Sequence, residues 1–135
     1  GVLTNESTGI TPFLSTVLSP IFTGMSGTVF TIVLLIVTVV LTNICNSLVI
    51  GMIMQPVVLT YCVSAGVNPA PIITADFTVL LSAACTPAAS PFAAMLFGNK
   101  EYLTSGDVYK YSTTFVLVEV VIILVLGIPF INLLM

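Results

Sequence analysis

Between Glu6 and Asp76 the chain carries no charged side chain, a run of 69 residues. A water-soluble fold has almost nothing with which to coat such a stretch. A second uncharged run separates Asp76 from Lys100, and beyond Lys110 the remaining charge is Glu119. Charged residues make up 5% of the chain and hydrophobic ones 58%, where soluble domains carry roughly 25% charged residues. The apolar runs are continuous and rich in Val, Ile and Leu, not short and alternating, so they predict helices and not barrel strands. An all-α integral membrane protein follows, multi-pass, with the lipid bilayer as its first partner.

The same composition excludes several function classes. Five acidic and two basic residues give a net charge of −3, with no basic patch to hold a nucleic acid. Histidine is absent, so no serine or cysteine has its usual base and no ligand cluster forms. Enzymatic chemistry is not expected, and neither is a cofactor. Cys45, Cys62 and Cys85 all sit inside apolar runs; an odd number without metal spacing argues against a disulfide frame or a zinc site. The chain opens on Gly1, and its first residues lack the order of a signal peptide. An upstream portion is expected.

Along the chain, residues 1–27 read as an N-terminal segment with an interfacial helix over Thr11–Phe22, a stretch too short to span. Thr28 to Ser64 would be roughly 55 Å long as one helix, beyond a hydrocarbon core of about 30 Å. It must break or turn. The places that qualify are the polar cluster Thr42-Asn43-Ile44-Cys45-Asn46-Ser47 and the stretch Gly51 to Pro56. A turn at the cluster makes residues 28–65 a re-entrant hairpin with its tip at 42–48, the arms slightly short of a span. The alternative is a single span from Thr28 to Ile50 whose Asn and Ser bond to neighbouring helices.

Gly66-Val67-Asn68-Pro69-Ala70-Pro71 is a turn. Residues 70–97 then read as a discontinuous transmembrane helix broken at 85–91, where Pro87 and Pro91 each delete a helical hydrogen bond. Such a break is tolerated in lipid mainly where it lines a polar cavity. Residues 98–111 hold both lysines and read as a loop, cytoplasmic by the positive-inside rule. A last transmembrane helix is expected over 112–134.

One polar tip and one broken helix in an otherwise apolar chain point to a transporter site. Helix N-termini at the midplane offer N–H groups to an anion, and the opposite ends offer carbonyls to a cation. Thr42, Asn46, Ser47 and Thr86 add neutral hydroxyls and amides. The chain has no arginine, so dipoles, neutral side chains and a co-bound cation must do the recognition.

At these residues, "LTNICNSLV", the Asn-Pro turn and "ACTPAASPFAAMLFGN", the chain resembles the C-terminal half of the divalent-anion/sodium symporter family. That family comprises the dicarboxylate, citrate and sulfate permeases of the wider ion-transporter superfamily. The resemblance runs from about Thr8 onward. It implies secondary active transport of a small anion, a di- or tricarboxylate, coupled to sodium or protons across the cell's inner (plasma) membrane. It also implies a matching upstream half as an inverted repeat and a homodimer. In the family, a Ser-Asn-Thr triplet marks the hairpin tip and Ala-Thr-Pro marks the helix break. By position, Thr42, Cys45, Ser47 and Cys85 would bind the cation, the two cysteines through backbone groups, and no metal beyond this transported ion is implied. Asn46, Ser47, Thr86 and Pro87 would face the substrate. The triplet here is Asn46-Ser47-Leu48, so the third hydroxyl is gone. An inorganic-anion or arsenite-type permease of the same superfamily, or an accessory membrane subunit without a site, are the alternative readings.

Overall fold

The computed structural model describes residues 24–134 together with Thr16 and Pro20, and every regular element among them is helical. The interfacial helix expected over Thr11–Phe22 lies outside the described residues, apart from those two positions.

The first helix, α1, spans Gly27–Ile44, and Ser26 caps it by accepting the Val29 N–H. It runs through Thr42 and Asn43, which the sequence had placed in the tip. Their side chains explain this: the Thr42 hydroxyl donates to the Thr38 carbonyl at 2.8 Å and the Asn43 amide to the Val39 carbonyl at 2.8 Å. Polar groups bonded back one turn leave the helix intact in an apolar setting. The turn itself is only Cys45 and Asn46. The second helix, α2, spans Ser47–Ala65, and the Asn46 side chain accepts the Leu48 N–H. Each arm is therefore about 27–29 Å long, close to the hydrocarbon core of about 30 Å and slightly short of it. The other candidate turn, Gly51 to Pro56, stays inside α2.

The two arms lie against each other. Phe30 near the start of α1 stacks on Tyr61 near the end of α2, with ring centroids 3.6 Å apart and planes 8° from parallel. The Tyr61 hydroxyl reaches back to the Met25 carbonyl at 3.0 Å. Stacking of this kind adds about 0.5–1.5 kcal/mol to the area buried. Helix α2 stops at Gly66, whose φ of 67° is the left-handed C-cap conformation that glycine adopts without a Cβ penalty.

Asn68 caps the third helix, α3, which spans Pro69–Leu81 with proline in its first turn, where no N–H is needed. It packs against both arms of the hairpin. Gly51 permits the close approach to α2: a Cβ there would lie 3.0 Å from Leu80 Cδ1. After α3 the chain leaves helical geometry until the fourth helix, α4, at Pro91–Gly98. The break thus occupies residues 82–90, beginning before the expected 85–91.

The expected loop over 98–111 is mostly helix. A short turn leads to Thr104, which forms a capping box with Asp107, so the fifth helix, α5, begins at Ser105 and not at Ser112. The two lysines sit on either side of this cap. Helix α5 spans Ser105–Ile122, continues as a π-helical turn over Ile123–Gly127, and ends in α6, Ile128–Leu134. Phe97 on α4 meets Tyr109 on α5 edge to face. Thr28 on α1 donates to Asn132 on α6 at 2.9 Å, bringing the chain's end back to the hairpin's entry. Among the described residues, three segments are long and apolar enough to cross a membrane: Gly27–Ile44, Ser47–Ala65 and Ser105–Leu133. One apolar core joins α1, α2, α3 and α6, around Phe30, Leu34, Met54, Val58, Ile72 and Ile131. A second, small core of Ala83, Ala89 and Ala93 sits under the break.

Candidate functional site

The hairpin turn and the helix break are hydrogen-bonded to each other. Asn43 Oδ1 accepts the Cys85 N–H at 2.9 Å, and the Asn43 carbonyl accepts the Thr86 hydroxyl at 2.6 Å. Ser47 donates its backbone N–H to the Ala89 carbonyl at 2.8 Å. Four helix ends meet here: the C-termini of α1 and α3, and the N-termini of α2 and α4. Neutral hydrogen bonds are each worth about 0.5–1.5 kcal/mol net, and more is lost when a buried partner is left unpaired.

The break has a specific cause. Pro87 has no N–H to give the carbonyl four residues back, which belongs to Ala83. The Ser90 hydroxyl supplies the missing donor at 2.8 Å, and the same oxygen accepts the Ala93 N–H as the N-cap of α4. Pro91 then occupies the first turn of α4, where proline is tolerated. One serine thus closes the first half of the broken helix and opens the second.

The residues singled out from sequence fall into this region unevenly. Thr42 is fully buried, its hydroxyl shared between the Thr38 and Val39 carbonyls. Cys45 is exposed at the turn, with its N–H given to Leu41. Asn46 is half-buried and spends its side-chain oxygen on capping α2. Ser47 is buried beneath the break, and Cys85 and Thr86 are half-buried against Asn43, while Pro87 is exposed. The N–H groups expected to stand unpaired at the tip are instead engaged: Ser47 with Ala89, Leu48 with Asn46.

Asn43 is the residue sequence reasoning left without a role, although it lies in the polar cluster. Its amide bonds its own helix through nitrogen and the break through oxygen. A primary amide beside a tip is the side chain that can do both, and that was the available signal.

Two acids tie the first half of the broken helix to its neighbours. Asp76 on α3 accepts the Thr38 hydroxyl of α1 at 2.6 Å, deep in the core. Glu119 on α5 accepts a hydrogen bond from Ser82, the C-cap residue of α3. No group of three or more metal-ligating His, Cys, Asp or Glu side chains forms among the described residues.

An uncharged helical hairpin bonded at its tip to a broken helix, within apolar helices of membrane length, is the architecture by which secondary transporters build an ion and substrate site. The model of the family described as the sodium:sulfate symporter transmembrane region matches residues 2–135, and the chain belongs to that family. Sodium-coupled anion transport by a multi-pass membrane protein is its general activity. Neither a curated protein nor a solved structure matches the chain.

Proposed function

We propose that the protein carries a small divalent anion, a di- or tricarboxylate, into the cell with sodium, and that the tip–break junction is where the two are bound. The supporting observation is the convergence of four helix ends on one uncharged junction. The N-termini of α2 and α4 favour an anion, and the C-termini of α1 and α3 favour a cation. Helix ends of both signs in one place let a cation and an anion bind side by side without a buried basic residue.

In this reading Thr42, Cys45, Ser47 and Cys85 serve sodium, the cysteines by their backbone, and Asn46, Ser47, Thr86 and Pro87 line the anion. The bonds that now join Asn43 to Thr86 and Ser47 to Ala89 are the ones ligands would exchange, so the junction tightens or parts with occupancy. The α1–α2 hairpin enters and leaves on one face of the inner (plasma) membrane, and a structurally matching half completes the cavity in a homodimer. Sulfate is the second substrate reading, favoured by the description of the matched family.

The test is uptake of succinate, citrate and sulfate by the native full-length protein in proteoliposomes, over a grid of sodium and anion concentrations. Thr42→Val should raise the sodium needed for half-maximal uptake, and Thr86→Val the anion needed, each by about ten-fold. Linkage requires each defect to be partly relieved by excess of the other ligand. If both variants match the parent over the whole grid, the junction is a packing feature only.

A further inference from the structure

Asp76 has no task in the sodium site, yet its placement is costly. It lies on α3 and is 2% exposed. One of its oxygens, Oδ1, accepts the Thr38 hydroxyl, and among the described residues no other hydrogen bond reaches the carboxyl group. An ionised carboxylate buried in this way needs a cation beside it. The chain has only two basic side chains, Lys100 and Lys110, and both are exposed around the start of α5. The helices packed against α3 supply no buried cation either, Lys110 of α5 being exposed. Helices α1 and α6 carry no ionisable side chain, and α2 brings Tyr61 and Cys62. Helix α5 brings Asp107, Lys110, Glu119 and two tyrosines, with Glu119 already taken by Ser82.

The identity of the missing cation follows from the oxygens available. A hard metal ion asks for several oxygen ligands, whereas Asp76 joins no group of three or more His, Cys, Asp or Glu side chains among the described residues and is hydrogen-bonded to a single hydroxyl. The Thr38 carbonyl is already engaged by the Thr42 hydroxyl. A proton needs a single oxygen.

We propose that Asp76 is a proton-binding site separate from the sodium site, and that its proton keeps α3 closed against α1 through Thr38. A proton taken from water adds to Oδ2 and leaves Oδ1 to accept the Thr38 hydroxyl. Returning that proton to water leaves a carboxylate that must be hydrated, and hydration requires α1 and α3 to part. Thr38 is one helical turn from Thr42, whose hydroxyl it holds, so the separation reaches the tip. Intramembrane acids of this kind mark proton and ion pathways in other membrane proteins.

The experiment uses the native full-length protein in liposomes, with Cys62→Ala and Cys85→Ala so that the exposed Cys45 is the cysteine of this segment that reports. Maleimide labelling of Cys45 is followed against pH, each rate divided by that of the unfolded protein at the same pH. An infrared titration of the carboxylic-acid carbonyl band is run alongside. The parent should label about ten-fold faster at alkaline pH, and Asp76→Asn, the neutral isostere, should abolish both the pH dependence and one acid band. Thr38→Val should displace the midpoint of the labelling profile by about one pH unit, which serves if Asp76→Asn does not fold. A parent lacking the band, an Asp76→Asn protein with the parental profile, or an undisplaced Thr38→Val midpoint overturns the proposal. No sodium and no anion are needed, so this result is independent of the transport test.

Discussion

Two stretches of this chain interrupt an apolar helix next to proline, and they resolve the problem in opposite ways. At residues 82–90, Pro87 and Pro91 open the chain fully, and the freed groups are taken by side chains: Ser90 on the Ala83 carbonyl, Asn43 on the Cys85 N–H. At Ile123–Gly127, ahead of Pro129, the chain never leaves helical geometry. It inserts a π-helical turn, with the Ile128 N–H bonded five residues back to Ile123. The sequence around it, Ile123-Leu124-Val125-Leu126-Gly127-Ile128, has no side chain that could substitute for a lost backbone bond. In a medium without water, the backbone can abandon its own hydrogen bonds only where polar side chains replace them. At these two places the neighbours of the proline decide the form of the interruption. Pro56 sits inside α2 without ending it, so a proline alone does not force one.

That contrast can be tested by removing the parts that differ. Ser90→Ala should have the largest effect, because one oxygen closes α3 and caps α4. Losing the cap and leaving a buried carbonyl unpaired should together cost about 2–4 kcal/mol. Faster amide hydrogen exchange confined to residues 82–98 would show it; unchanged exchange there would mean the break is held by other groups. Glu119→Gln comes next. Glutamine keeps an acceptor for Ser82, so uptake should stay within about two-fold of the parent, at the scale of a neutral hydrogen bond. Near-complete loss at normal expression would make Glu119 an ion or proton site instead. The smallest effect should come from Pro129→Ala, which restores a donor to a segment already bonded to itself. Uptake should not change, and stability by no more than about 1 kcal/mol on thermal unfolding in detergent. A large loss would assign the π turn a working role.

Much of the fold was legible because its causes are local. The absence of charge from Glu6 to Asp76 forces membrane-length helices, and Gly66 with Asn68-Pro69 ends one and starts the next wherever they lie. The polar cluster contains the turn at Cys45-Asn46, and Pro87 falls within the non-helical stretch 82–90 that Pro91 closes. Boundaries failed where a side chain chose between two local partners. Thr42 and Asn43 read as tip, yet they bond back into α1; Ser105–Tyr111 reads as loop, yet the Thr104–Asp107 capping box makes it helix.

The sequence by itself determined a helical membrane protein with one polar turn and one broken helix, because apolar length and proline chemistry act on the chain regardless of its surroundings. Only the tertiary structure decided that these two irregularities meet, that Asn43 joins them, and that α3 is tied to α1 through Asp76 and to α5 through Glu119. Those pairings span 37 to 43 residues of sequence. Hydrogen bonds over such separations carry no local signature, since which donor reaches which acceptor is fixed by how the helices pack.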